Sequence, residues 1–446
     1  MRNVKLRKFW DSLQSSYWFL PSLMALGGMV LAFSMLAIDQ AEAIQTGEIS
    51  WIYAGGPDGA RALLSAIASS MMTVAATAFS ITIVALQLAA SNFGPRLLRN
   101  FMQDKGNQIV LGTFIATFLY CLLVLRMIHG EDYDYFVPQF SVTISILLAI
   151  ASIGVLIYFI HHASTIIQAS HVIADVADEL DDAIDRLFPE EIGQPESEDA
   201  YHPIEAIPEE LNTQACSIKS TQTGYLQVID DQLLMKLACR YKLLLYLPLK
   251  PGEFITKGNR IIRVYPHSQV NQKLIHEINR AFLLGNERTE QQDVEFPINQ
   301  LVEIALRTLS PGINDPFTAI RCIDRLGAGL SRLAERKLPS MYRYDEEHKL
   351  RIIAKPLAFD QLVNIAFDQI RHYGKADIAV TLHLLRAIAQ IGSCTHRPHD
   401  RIVLEQQAEM ILQGSYEGLA QVRDQQLVEN LYRQVQETLR TGSNLE

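Results

Sequence analysis

Four apolar runs, roughly Phe19 to Ile38, Ala62 to Ala90, Gln108 to Leu125 and Phe140 to Ile160, crowd the first third of the chain. Each is near the ~20 residues a bilayer core requires. A backbone inside lipid must satisfy its own hydrogen bonds, so these runs are constrained to be helices. The chain of 446 residues is 49% hydrophobic yet 20% charged, because everything after the fourth run is far more polar. The expected architecture is therefore an α-helical membrane protein: four transmembrane helices within 1–160, then a cytoplasmic α+β domain. The first run is long and ends at Asp39 without a small-residue cleavage pattern, so it reads as a retained helix rather than a signal peptide.

The short loops give an orientation. Arg2, Lys5, Arg7 and Lys8 precede the first run, and Arg96, Arg99 and Lys105 lie between the second and third. The loops holding Asp39, Glu42, Glu48 and Asp58, and Glu131, Asp132 and Asp134, are acidic. Basic loops mark the cytoplasmic side, which predicts a cytoplasmic N-terminus, four crossings and a cytoplasmic chain after His161. A formal net charge of -10 argues against nucleic acid as a partner; the basic residues beside the runs serve orientation and lipid head groups. Cys121, Cys216, Cys239, Cys322 and Cys394 are scattered with no CxxC pair, which indicates neither disulfides nor a zinc site.

The second run carries a polar stripe. At about 100° per residue, Ser69, Ser70, Thr73, Thr77, Ser80, Gln87 and Ser91 share one side of the helix, and Thr82 alone faces away. Small hydroxyl residues suit close helix packing in lipid, where they hydrogen-bond across an interface. They also suit a water-filled pore built from several copies of this helix. In that reading Ser69, Thr73, Thr77, Ser80 and Gln87 line the pore, Asp58 and Arg61 mark its outer mouth and Arg96 and Arg99 its inner one. Gly94-Pro95 would end the helix there.

Beyond the fourth run no Gly or Pro interrupts the pattern after Gly154, which predicts one continuous helix reaching Phe188, with 161–188 as its cytoplasmic extension. Ile173, Val176, Leu180, Ile184 and Leu187 keep helical spacing on one side, and Asp175, Asp178, Asp182 and Asp185 lie on another. That acidic side is a solvated face or, in an oligomer, the wall of a vestibule that gathers cations. An acidic, Pro-containing linker is expected over 189–213 and a small β-containing module over 214–266. The module's turn glycines resemble half of a biotinyl or lipoyl domain, but no lysine occupies a tip motif, so no attached cofactor is expected. The part from 267 to 446 reads as mostly helical: Val270 to Leu284, Pro297 to Leu309, Pro316 to Ala334, Ala358 to His372, Lys375 to Ile391, Arg401 to Leu412 and a terminal helix, with a hairpin from Tyr342 to Ile353.

The densest polar motif runs from Arg288 to Ala319. Asp293, Glu295, Asp315 and Asp324 are carboxylates able to bind a hard cation or act as acid and base. The same residues serve a structural reading: Ser310-Pro311-Gly312 stops a helix, then Asn314, Asp315, Pro316 and Thr318 start the next one, Asp315 as its cap.

Asn92-Phe93-Gly94-Pro95-Arg96-Leu97-Leu98, Gly106 to Phe114, Tyr158 to His162 and Leu309 to Ala319 resemble the bacterial predicted-membrane-protein family known as domain of unknown function twenty-two fifty-four. The resemblance implies a four-span protein of the bacterial inner membrane with a cytoplasmic domain, and transfers no catalytic residue. The chain has no GxxxxGK[ST] loop, GxSxG elbow, HExxH helix or GxGxxG after a strand, so it is not expected to be an enzyme. The leading expectation is a homo-oligomeric pore for inorganic ions, lined by the second span, with a gating or filtering cytoplasmic domain. The rival is a non-conducting membrane-anchored scaffold or sensor whose stripe is buried in packing inside one subunit.

Overall fold

The computed structural model describes residues 16–41, 53, 55–94, 104–129, 136–166, 168–188, 215–355 and 357–441. The chain divides into two compact units, Met1–His171 and Val172–Glu446. The acidic linker expected over 189–213 lies outside the described residues, as do Arg96 and Arg99.

In the first unit four helices are long and apolar enough to cross a membrane: α1 (Phe19–Gln40), α2 (Pro57–Phe93), α3 (Lys105–Arg126) and α4 (Gln139–Ile166). α3 is the most buried of the four and contacts the other three. Its approach to α1 depends on small residues: a Cβ on Gly28 would stand 2.7 Å from the Ala116 carbonyl oxygen, and one on Gly112 would meet Met24. Without a hydrophobic drive between helices in lipid, such close backbone approach supplies the packing. Two clusters fill the interior, one around Leu64, Tyr120 and Val124, the other around Met71, Phe114 and Phe159. Asp39, at the end of α1, accepts hydrogen bonds from the Phe140 and Ser141 amides at 3.0 Å and from the Ser141 hydroxyl at 2.6 Å, so the end of one helix caps the start of another.

The expected unbroken helix from the fourth span to Phe188 is in fact two. α4 ends at Ile166 and α5 spans Ala169–Leu187. Ser164 and Thr165 return their hydroxyls to the His161 and His162 carbonyls, a local competition that weakens a helix end. From Val172 onward α5 belongs to the second unit. Ile173, Val176, Leu180 and Ile184 are buried, as their spacing predicts, and Leu180 packs where Gly329 leaves no side chain.

Two sheets follow. β1 (Cys216–Lys219), β3 (Leu244–Leu247), β5 (Arg260–Tyr265), β7 (Tyr342–Tyr344) and β8 (Leu350–Ala354) form a five-stranded sheet in the order β1-β5-β3-β8-β7. β2 (Gly224–Ile229), β4 (Phe254–Ile255) and β6 (Phe282–Gly285) form a three-stranded one in the order β4-β2-β6. The expected hairpin from Tyr342 to Ile353 is present, and β8 continues into the module by pairing parallel to β3, Leu245 opposite Ile352. Short helices α6 (Asp231–Arg240) and α7 (Gln272–Asn279) cover a core that includes Leu226, Leu245, Ile262 and Leu274. The helix expected over Val270 to Leu284 stops at Asn279, and Phe282–Gly285 instead becomes β6, an edge strand against β2.

The rest is helical: α8 (Glu295–Thr308), α9 (Pro316–Glu335), α10 (Phe359–Gly374), α11 (Ile378–Cys394), α12 (Pro398–Gly418) and α13 (Val422–Thr441). Asp315 and Asp377 cap α9 and α11 through the Thr318 and Val380 amides, and prolines occupy the first turn of α9 and α12, where a missing N–H costs nothing.

Candidate functional site

α2 has a buried face and an exposed one, and the exposed one carries the polar stripe together with the apolar Val84 and Leu88. Ala60, Leu64, Ala68, Met71, Ala75, Ala78, Thr82 and Ala89 are buried and form the seam against the unit's other helices. Ser69, Ser70, Thr73, Thr77, Ser80, Gln87 and Ser91 are all exposed. At 100° per residue the centres of the two sets lie about 170° apart. The stripe is therefore not buried inside one subunit, and the packing form of the rival expectation does not hold within a single chain.

The hydroxyls are occupied in a uniform way. Thr73, Thr77 and Ser80 donate to the carbonyls of Ser69, Thr73 and Ala76, one turn back, at 2.9 Å each. Ser70 does the same to Ala66 at 2.7 Å, and Ser69 and Ser91 reach the carbonyl three residues back. Each proton is thus committed to the helix, while the oxygen keeps lone pairs that point away from it. Asp58 is almost fully exposed at the N-terminal end of α2 and pairs with Arg61 at 3.7 Å. Arg61 also donates to the Ile128 carbonyl at 3.1 Å, which draws it toward the end of α3 and off the stripe.

A second polar cluster, unnoticed in the sequence as a unit, joins two of the motifs quoted above. Asp104 caps α3 by accepting from the Gly106 amide at 2.8 Å, and its other oxygen contacts His162 Nε2. The His162 ring stacks on Tyr158 with centroids 5.2 Å apart. Gly106 is required there: a Cβ would lie 2.7 Å from His162 Nε2 and 2.9 Å from the Tyr158 hydroxyl. The adjacent pair His161-His162 was the available signal, although only the second histidine joins the cluster.

In the second unit the carboxylate motif separates into two places. Asp315 and Thr318 are a helix cap: Asp315 accepts the Thr318 amide at 3.2 Å and the Thr318 hydroxyl at 2.6 Å, while Asn314 takes the left-handed conformation that turns the chain into α9 (φ 52°). Asp293 and Glu295 instead join an ion network with Arg288 of the same motif and with Lys250, which the sequence did not single out. Arg288 binds Asp293 through Nε at 2.8 Å and Nη2 at 2.7 Å, and lies 3.5 Å from Glu295; Lys250 pairs with Glu295 and donates to Gln361 at 3.2 Å. Asp293 also accepts the Glu295 amide at 3.1 Å, at the start of α8. Burial pushes the Asp293 carboxyl up to about 6, with Arg288 pulling the other way and Glu295 adding to the rise.

The acidic face of α5 is partly employed. Asp185 pairs with Arg332 at 2.8 Å and Arg336 at 2.6 Å, and Asp181 also pairs with Arg332. Asp175, Asp178 and Asp182 are exposed. Among the described residues no three His, Cys, Asp or Glu side chains come together to hold a metal ion.

Four helices of membrane-crossing length and apolarity, followed in the chain by a domain of small sheets and many helices, are what a predicted membrane protein shows, and the comparisons agree. The chain belongs to the predicted-membrane-protein family DUF2254, which matches residues 14–390. It is similar to the uncharacterized proteins Rv1290c of Mycobacterium tuberculosis and Mb1321c of Mycobacterium bovis, each 31% identical over 430 residues that cover 94% of this chain and 80% of theirs. No solved structure matches it.

Proposed function

We propose that the protein is a homo-oligomeric, non-enzymatic ion pore of the bacterial inner membrane, with both termini in the cytoplasm, in which copies of α2 surround a common axis. The observation that carries this reading is the opposition of the two faces of α2: its seam serves the subunit's own bundle, leaving a hydroxyl stripe from Ser69 to Ser91 turned outward. Back-bonding makes single Ser and Thr side chains tolerable against lipid, but the exposed Gln87 amide has a strong reason to avoid it. Because the hydroxyl protons are committed to backbone carbonyls, the stripe offers oxygen lone pairs, which favour cations. The acidic outer loops act in the same sense, and the soluble unit acts as filter or gate.

The test is the size of the purified oligomer, followed by ion flux from liposomes under cation and anion gradients. Wild type is expected to pass cations, and Thr77→Leu and Ser80→Leu to lower that flux severalfold. A monomer, an absence of flux in every gradient, or flux indifferent to both substitutions overturns the pore.

A further inference from the structure

The turns that join α8 to α9, α10 to α11 and α12 to α13 lie together at one end of the second unit. A Cβ on Gly374, at the end of α10, would stand 3.5 Å from Leu309 Cδ1, at the start of the α8–α9 turn. One on Gly418, at the end of α12, would stand 2.3 Å from the Lys375 carbonyl oxygen, and Lys375 pairs with Glu417 at 2.8 Å. Large side chains stand exposed around these turns: Ile313 and Phe317 at the first, Tyr373 at the second, Tyr416 and Val422 at the third, with Phe317 76% accessible. Such residues are ordinary singly, but gathered at one end they mark a surface that something covers.

α5 begins at that same end. Its C-terminal half is fixed against α9: Leu180 fills the space at Gly329, Asp181 and Asp185 pair with Arg332, and Arg336 donates to the Phe188 carbonyl at 2.8 Å. The two helices thus run in the same sense. α5 has 19 residues and α9 has 20, so at 1.5 Å each they reach back about 28–30 Å from Phe188 and Arg336, one to Ala169 and the other to Pro316 and Phe317. Ala169 follows Ile166, the last residue of the apolar α4, by three positions, which the chain spans in at most about 10 Å.

The acids at this end serve the fold or are paired. Asp315 and Asp377 cap helices, Asp424 lies in the first turn of α13, and Glu417 holds Lys375. Arg321, His372 and Arg423 are exposed. Apolar and tyrosine side chains among cations suit a bilayer interface, where aromatic rings sit at the level of the head groups and basic residues meet anionic lipid. We propose that this end of the second unit docks on the bilayer, on the leaflet at which α4 ends. Ile313, Phe317 and Tyr373 enter the head-group region, and Arg321 and Arg423 meet anionic lipid. The inference rests on membrane crossing by the four apolar helices and not on conduction, so docking and the pore succeed or fail separately.

The experiment uses the full-length chain with its five native cysteines replaced. Phe317→Cys or Tyr373→Cys carries an environment-sensitive fluorophore, in nanodiscs of phosphatidylcholine and phosphatidylglycerol with or without lipid spin-labelled at the head group. Phe254→Cys is the reference, because Phe254 is also exposed but lies beside Glu253, whose partner Lys355 precedes α10, at the opposite end of that helix from Tyr373. All three positions are on the surface, where a substitution costs within about 0.5 kcal/mol. Spin-labelled lipid is expected to quench the fluorophore at 317 and at 373 severalfold more than at 254. The proposal is overturned if either position is quenched no more than 254. Emission at 317 that is blue-shifted yet indifferent to the spin label, the mark of cover by a second copy of the chain, overturns it equally.

Discussion

Asp293 is held by opposing forces, and the balance makes a measurable demand on stability. Burial raises its pKa from the ordinary 3.8 to about 6 despite Arg288. The folded state therefore binds a proton more tightly than the unfolded chain does. The sign follows: this stabilisation is fully present below about pH 4 and is lost as pH rises through about 6. Its size is on the order of 1–3 kcal/mol. Asp293→Asn, neutral at every pH and still able to accept the Glu295 amide, should flatten this component; thermal melts of variant and wild type should diverge between about pH 4 and 6. Parallel profiles would refute the assignment. Gly252 shows the same crowding from the backbone side. Its φ is 91°, and a Cβ would stand 2.3 Å from Asp293 Oδ2. Gly252→Ala is expected to destabilise the protein by about 1–3 kcal/mol or more, since strain and collision act together. A loss within experimental error in urea unfolding would show that the loop relaxes freely.

At the scale of the element, α2 carries the clearest contrast. Ala75 and Ala78 lie in the buried seam, whereas Thr77 and Ser80 face outward. Ala78→Leu should cost about 1–3 kcal/mol by overpacking, and Thr77→Leu or Ser80→Leu within about 0.5 kcal/mol. Thermal unfolding of the solubilised protein ranks them, and an equal loss at both faces would contradict the two-faced helix. The faces were legible in the sequence because a 3.6-residue period separates Ala60, Leu64, Ala68 from Ser69, Thr73, Thr77 without any knowledge of partners. So were the four spans and most helices of the second unit, whose caps and prolines are local signals. The strand Phe282–Gly285 was not, since its four residues continue an apolar helical pattern and become a strand only by pairing with β2. The division of α4 from α5 was equally hidden: no Gly or Pro marks it, only hydroxyls that compete with the backbone.

For the whole molecule, what escaped the sequence is what distant segments make together. Lys250 and Arg288 meet Glu295 from separate loops, Asp104 meets His162 from different spans, and the exposed apolar end combines three separate turns. Phe317, Tyr373 and Val422 were present to be read, yet each alone is an ordinary surface residue, and only the contacts between their turns gather them. The proposed assembly is a step of the same kind, since it would give a stripe turned away from its own bundle a role through other copies. If copies of α2 ring an axis, equivalent positions on the stripe approach one another across it, while the exposed α1 residue Leu26 faces lipid. In a chain whose five native cysteines are replaced, Thr73→Cys should therefore yield disulfide-linked dimers in oxidised membranes and Leu26→Cys should not. Equal cross-linking at both positions would indicate random collision, and none at Thr73 would remove the ring of α2 helices on which conduction depends.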